Sequence, residues 1–266
     1  MTEQKKHARV FSVANQKGGV GKTTTAVNLA TALSALRKKV LLVDLDAQGN
    51  ATVSLDVSRQ SRTKNAYTVL TGQDSILNTV QETKIPYLSV LPSCRELLGL
   101  DIELAGVERP QYFLKDALQA PELDFDYVFI DCPPAVGMLT INALTASNAV
   151  VVPIQCEYLA LEGVADLIKT IERVKKNFNH DLDLHGILLT MFDSRSKLSF
   201  SVADDVRRFF GEKVYKSFIP RNVRIPEAPS HGKPVLLYDY KCTGSQAYIK
   251  LAAEFLKREK EILKNG

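Results

Sequence analysis

Lys17-Gly18-Gly19-Val20-Gly21-Lys22-Thr23-Thr24 lies between an apolar run, Val10 to Ala14, and a run with helical periodicity that opens at Thr23. Strand, glycine turn and helix N-terminus thus follow one another in the order that cradles a phosphate. Backbone N–H groups can surround an anion only where no Cβ intervenes, and the first turn of a helix leaves its donors unpaired. In such a loop Lys22 would neutralise charge on the β- and γ-phosphates, and Thr23 would offer its hydroxyl to Mg2+. The segment predicts binding of a nucleoside triphosphate with magnesium. The common pattern, G-x-x-x-x-G-K-[ST], requires glycine at position 16; here Gln16 stands there, and Lys17 precedes the glycine pair.

Further reactive side chains sit where strands should end. Asp44 and Asp46 close the run Val40–Leu45, and Asp131 closes Tyr127–Asp131. Ligands of open α/β sheets bind outside the carboxyl ends of the strands, so these carboxylates are placed to hold Mg2+ through water or to orient an attacking water. A single aspartate at such a place is as often a helix cap or a turn residue, and it is their joint occurrence after buried strands that favours function. After Asp131 come Cys132-Pro133-Pro134, and two prolines cannot continue a paired central strand, so the chain must turn there.

The lysine-first loop resembles the deviant Walker A motif of the ParA/Soj/MinD ATPases. The resemblance runs along nearly the whole chain, through Ala14-Asn15-Gln16, Val43 to Thr52, Ile130 to Pro134 and Ile219-Pro220-Arg221-Asn222-Val223-Arg224, and is strongest to the chromosomal ParA type called Soj. It implies an ATPase, hydrolysing ATP to ADP and phosphate with Mg2+, whose loop residues Lys17 to Thr24 hold the triphosphate. Lys17 would reach across a nucleotide-sandwich homodimer to the partner subunit's phosphates. Asp46 would position the hydrolytic water, Asp131 would support the magnesium shell, and Asp44 would help hold Thr23 or the metal waters. Pro220 and Asn222 would approach the adenine, the Asn222 amide pairing with its donor and acceptor edge. The family usually has proline where this chain has Ala47, a change that removes no reactive group.

Elements able to position these residues are legible as periodicities. Continuous apolar runs at Val10–Ala14, Val40–Leu45, Leu88–Leu91, Tyr127–Asp131, Ala149–Ile154, Gly186–Met191 and Val214–Ile219 read as strands buried on both faces. Helical patterns lie among them at Thr23–Leu36, Leu139–Ala146, 159–174, Val202–Phe210 and Ser245–Leu263. The expected fold is α/β, a doubly wound and mostly parallel sheet with helices on both faces. At 266 residues and 45% hydrophobic, one compact domain spanning 1–266 suffices, and neither repeats nor low-complexity tracts divide it.

Composition excludes several classes. Cys94, Cys132, Cys156 and Cys242 stand far apart without C-x-x-C spacing, and His7, His180, His185 and His231 are equally scattered, which argues against zinc, redox pairs and clusters. The basic start, Lys5-Lys6-His7-Arg9, has no apolar stretch of signal-peptide type, so a cytoplasmic protein is expected. Net charge is only +4, yet from Gly186 onward 15 Lys and Arg face 9 Asp and Glu. Arg195, Lys197, Arg221, Arg224, Lys233 and Lys241 fall in loops or at element ends, where they could touch nucleic-acid phosphates without reading bases. By resemblance, an ATP-held dimer binds double-stranded DNA without sequence preference, on the nucleoid, and a ParB-like centromere-binding protein speeds hydrolysis and release. Arg195 and Arg224 are the first candidates for the DNA contacts, with Lys197 and Arg221 beside them. Two other readings remain open from sequence. One is an ATP-switched regulator of transcription or replication initiation. The other is a MinD-like membrane-positioning ATPase, which the mixed Lys/Glu face of the last helix disfavours.

Overall fold

The computed structural model describes residues 8–158 and 160–265. Lys5, Lys6, His7 and Leu159 lie outside the described residues. Eight strands form one sheet: β1 Arg9–Val13, β2 Val40–Asp44, β3 Gln81–Glu82, β4 Leu88–Leu91, β5 Tyr127–Asp131, β6 Ala149–Gln155, β7 Asp183–Phe192 and β8 Val214–Pro220. Their spatial order is β3-β4-β2-β5-β1-β6-β7-β8. Every pairing is parallel except that of the two-residue strand β3 with β4. The expected seven strands are present, and β3 is the addition.

Five longer helices cover the faces: α1 Lys22–Ala35, α2 Met138–Ala146, α3 Ala160–Asn177, α4 Lys197–Phe210 and α5 Thr243–Asn265. Because successive strand side chains point to opposite faces, the apolar runs split between two cores. Leu41, Val43, Ile130, Val152 and Leu189 pack with Leu139, Leu144, Leu167 and Ile171 of α2 and α3. Phe11, Val13, Leu42, Phe129 and Val151 pack with Leu29 and Leu33 of α1 and Leu251 and Phe255 of α5. A strand covered on both faces has no place for alternate polar residues, which is why these runs read as continuous.

The last helix is a core element. Tyr248, Leu251, Ala252 and Phe255 are buried, whereas Ile262 and Leu263 near its end are 43% and 48% exposed. Truncating Phe255 to alanine would cost about 3–5 kcal/mol by the usual scale for large core side chains. Polar contacts fix its register. Buried Glu259 accepts from Arg9 Nε and Nη2 at 3.0 and 3.2 Å and lies 3.4 Å from Nε2 of His185, whose Nδ1 pairs with the Tyr215 hydroxyl. One turn earlier, Glu254 accepts the backbone N–H groups of Lys216 and Ser217 on the edge strand β8 at 2.7 and 2.8 Å. Among the described residues no helix is long and apolar enough to cross a membrane.

Candidate nucleotide site

The loop that joins β1 to α1 is held open by its backbone. Gly19 and Gly21 take φ of +75° and +88°, a left-handed conformation that side-chain-bearing residues rarely adopt, so the turn depends on glycine there. Nothing lies within 4 Å of where a Cβ would stand on Gly18 or Gly19, and both residues are exposed. The helix begins at Lys22 with Gly21 as its N-cap and no side-chain cap, so its first-turn donors remain available to an anion. Thr23 and Thr24 sit half-buried in that first turn.

The two lysines occupy different environments. Lys22 is buried and its Nζ donates to the carbonyl of Lys17 at 3.1 Å, so the loop curls around the ammonium. Burial holds its pKa below the ordinary lysine value, against the opposing pull of Asp131, Cys132 and Asp46. Lys17 stands outside, its side chain 46% exposed and its Nζ 3.7 Å from a carboxylate oxygen of Glu157.

Three aspartates converge on this loop and differ in how they are satisfied. Asp44 is buried, accepts the amide and hydroxyl of Thr52 at 2.8 and 2.6 Å and the amide of Asp46 at 3.2 Å, and so shapes the turn after β2. Its pKa is pushed up to about 6, burial outweighing those hydrogen bonds. Asp46 is half-buried and accepts from the Gln48 amide at 3.0 Å. Asp131 is fully buried, and among the described residues neither carboxylate oxygen has a hydrogen-bond partner. Burial first, then the negative charge of Asp44, raises its pKa well above the carboxylate range, with Thr23 and Lys22 pulling the other way. A buried carboxylate without a partner is costly to leave so, and an orphan beside the Thr23 hydroxyl fits a hard cation that takes oxygen ligands. Among the described residues no cluster of three or more His, Cys, Asp or Glu could hold a metal by itself.

Thr190 and Glu157 from distant elements and Asn15 at the loop's own start brace it, and sequence reading did not single them out for it. Thr190 of β7 donates its hydroxyl to the carbonyl of Val20 at 2.8 Å. Asn15 donates to the carbonyl of Pro153 at 2.7 Å and accepts the Lys17 amide at 3.0 Å. Glu157, following β6, lies near both Lys17 and Arg221, the latter at 3.9 Å. A local signal existed only for Asn15, whose spacing to Lys17 is that of an Asx turn.

Other sequence-predicted residues are spread along the loops that follow β7 and β8. Pro220 ends β8, and the Asn222 side chain is engaged locally, accepting the Arg224 amide and donating to Thr243, each at 2.8 Å. Arg195 is 86% exposed and grips Asp193 through two hydrogen bonds of 3.0 Å. Arg224 lies 2.9 Å from Glu227 and 3.5 Å from Asp239. Lys197 opens α4 and is exposed, as are Arg221, Lys233 and Lys241. The structure therefore gathers Lys22, Thr23, Asp44, Asp46 and Asp131 at one loop, brings Arg221 to Glu157 beside Lys17, and spreads the other basic residues along the loops after β7 and β8.

An open, mainly parallel sheet with a glycine loop between its first strand and first helix defines a P-loop nucleotide-binding fold. A family model described as an AAA domain matches residues 8–184. Chromosome partitioning protein ParA of Caulobacter vibrioides is 52% identical over 255 residues, covering 95% of this chain and 96% of its own. Sporulation initiation inhibitor protein Soj of Bacillus subtilis is 47% identical over 246 residues, covering 92% and 97%. Among solved structures, cobyrinic acid a,c-diamide synthase of Mycobacterium smegmatis, with bound ATP analog and magnesium, has a TM-score of 0.84 at 38% identity, covering 95% and 96%. The chain belongs to the ParA/Soj family of partitioning ATPases.

Proposed function

We propose that this protein is an ATP-dependent DNA-partitioning ATPase in which nucleotide occupancy, homodimerisation and DNA binding are linked. The observation that carries the reading is the division between two lysines: Lys22 lies buried inside the loop beside Asp131, and Lys17 is turned outward and half exposed. The backbone N–H groups of Gly18, Gly19, Val20, Gly21, Lys22, Thr23 and Thr24 hold the triphosphate of ATP, and Lys22 offsets its charge. Thr23 and Asp131 would hold Mg2+, with Asp44 fixing the turn behind them, and the ion when bound supplies charge neutralisation on the β- and γ-phosphates. Asp46 orients the attacking water. Lys17 acts on the triphosphate of a second copy, so turnover requires two chains. Phosphoryl transfer of this kind needs positioning and charge neutralisation rather than a covalent intermediate.

Pro220 and Asn222 lie along the adenine, Asn222 exchanging its Thr243 contact for the base. Arg195, Lys197, Arg221 and Arg224 contact the phosphates of nonspecific double-stranded DNA, and a dimer doubles the number of such contacts. A ParB-like centromere-binding protein stimulates hydrolysis and release during chromosome or plasmid segregation. The protein works in the cytoplasm on the nucleoid.

The test is Asp46→Ala with ATP and magnesium. A stable dimer that retains DNA in a gel shift supports the mechanism, and a chain that stays monomeric by light scattering refutes it. A second reading, an ATP-switched regulator of transcription or replication initiation, is favoured by one relative's name, sporulation initiation inhibitor. Hydrolysis that responds to no DNA-bound partner would move the assignment there.

A further inference from the structure

Ser93 carries a buried hydroxyl beside the nucleotide site that none of the steps above employs. It follows β4, and the parallel register that sets Leu91 level with Val43 of β2 carries Ser93 level with Leu45. Its side chain thereby meets the turn after β2 and donates to the carbonyl of Asp46. Ser93 is fully buried, so bulk water does not compete for that bond.

Asp46-Ala47-Gln48-Gly49 is a four-residue turn closed by the Gly49 amide, which donates to the same Asp46 carbonyl at 2.8 Å. Aspartate suits the first place of such a turn and glycine the last, where φ is +66°. The second place is the one at which proline would fix φ, and the alanine found there fixes nothing. Other bonds hold Asp46 from the remaining sides. Its amide donates to Oδ1 of Asp44 at 3.2 Å, and its own Oδ1 accepts the Gln48 amide at 3.0 Å, so Oδ2 is the oxygen that the turn does not use.

Ser93 is itself anchored. Its amide donates to the Thr52 hydroxyl at 3.1 Å, and that hydroxyl donates to Oδ2 of Asp44 at 2.6 Å. Buried Asp44, Thr52 and Ser93 thus close a ring of hydrogen bonds around the peptide groups of Asp46, with Asp44 holding the amide and Ser93 the carbonyl.

We propose that Ser93 is a positioning residue for ATP hydrolysis. From the neighbouring strand it supplies the restraint that Ala47 does not, and it keeps the carboxylate of Asp46 aimed at the attacking water. The role rests on the assignment of Asp46 to that water. Phosphoryl transfer to water depends on alignment, and a shift of about 1 Å in an aligning group can cost about a hundredfold in rate.

The test uses the full chain as wild type, Ser93→Ala, and Ser93→Ala combined with Ala47→Pro. Without nucleotide, the Gln48 and Gly49 amides should exchange for deuterium at least about fivefold faster in Ser93→Ala, the factor that one hydrogen bond is worth, as followed by NMR. With ATP and magnesium, kcat should fall at least about tenfold while ATP affinity stays within about twofold. Ala47→Pro in the same background should recover most of both losses, because the ring then fixes the turn in place of Ser93. Unchanged amide exchange overturns the restraint. Faster exchange with unchanged kcat, in a chain whose turnover Asp46→Ala abolishes, overturns the positioning role alone. ATP affinity that falls as steeply as kcat overturns it too, and so does a loss that Ala47→Pro leaves in place although that substitution alone is neutral in wild type. Turnover that survives Asp46→Ala would sink the assignment of Asp46, and the positioning role with it, and leave the exchange result standing.

Discussion

The Thr190 hydroxyl donates to the Val20 carbonyl at 2.8 Å, so the phosphate loop is propped from a strand two places away across the sheet. Loss of one such bond costs about 1 kcal/mol, roughly fivefold in affinity. Thr190→Val should therefore weaken ATP binding by about that factor in calorimetry, with melting temperature little changed. Unchanged affinity would mean the loop is rigid without its prop.

Asp131→Asn should stabilise the nucleotide-free protein while abolishing turnover. Asp131 has a folded-state pKa well above its ordinary value because it is buried beside Asp44. The sign follows: folding penalises the ionised form, the penalty is absent below the ordinary carboxylate range, and it grows as pH rises through that range until it levels off above the folded-state value. At neutral pH the gain should be at its largest, because asparagine cannot ionise and carries none of this penalty. Scanning calorimetry should show the difference between variant and wild type shrinking on acidification. A difference independent of pH would contradict the ionisation argument.

Lys22→Gln and Lys17→Ala should fail differently. The first removes the cation inside the loop and should lose nucleotide binding. The second removes one that stands outside and should keep affinity within a few-fold while losing ATP-dependent dimers in sedimentation. Equal loss of nucleotide affinity in both would place Lys17 in its own pocket.

On the β7–β8 side, Arg195→Glu with Arg224→Glu should weaken DNA retention and reduce the log–log salt slope of binding by roughly 0.9 for each phosphate no longer neutralised. Each arginine is already engaged, Arg195 by Asp193 and Arg224 by Glu227 and Asp239. Exposed pairs of this kind are weak and exchange readily for a phosphate. Asp193→Asn should accordingly tighten DNA binding, and a gel shift showing no gain would leave Arg195 outside the contact surface.

Glu259→Gln tests the tie between the last helix and β1. The carboxylate is buried and receives two bonds from Arg9, so breaking the pair should destabilise the fold by about 3–5 kcal/mol in urea titration. A loss below about 1 kcal/mol would show that apolar packing of Phe255 and its neighbours holds the helix unaided.

The phosphate loop, its helix and the central strands could be read from residues alone because each is encoded locally: glycines where φ must be positive, and apolar runs where both faces are covered. The additional strand β3 has two residues, Gln81 and Glu82, and its pairing with β4 is a tertiary fact that no periodicity announces. The short helices between 50 and 118 carry too few turns for a 3.6-residue pattern to emerge. Within the site, Asp44 and Asp131 look equivalent in sequence, both closing buried strands. Only the fold separates them, supplying Thr52 to one and leaving the other without a hydrogen-bond partner among the described residues. Thr190 and Glu157 reach the loop from β7 and from the end of β6, contacts set by strand order and invisible to local motifs.

Glu254 occupies the amides of Lys216 and Ser217 along the last strand of the sheet. A neighbouring chain that tried to extend the ladder at that margin would find two of its donors already spoken for by a carboxylate, and would have to displace a negative charge to reach them. Growth of the sheet from copy to copy is thereby discouraged at that margin.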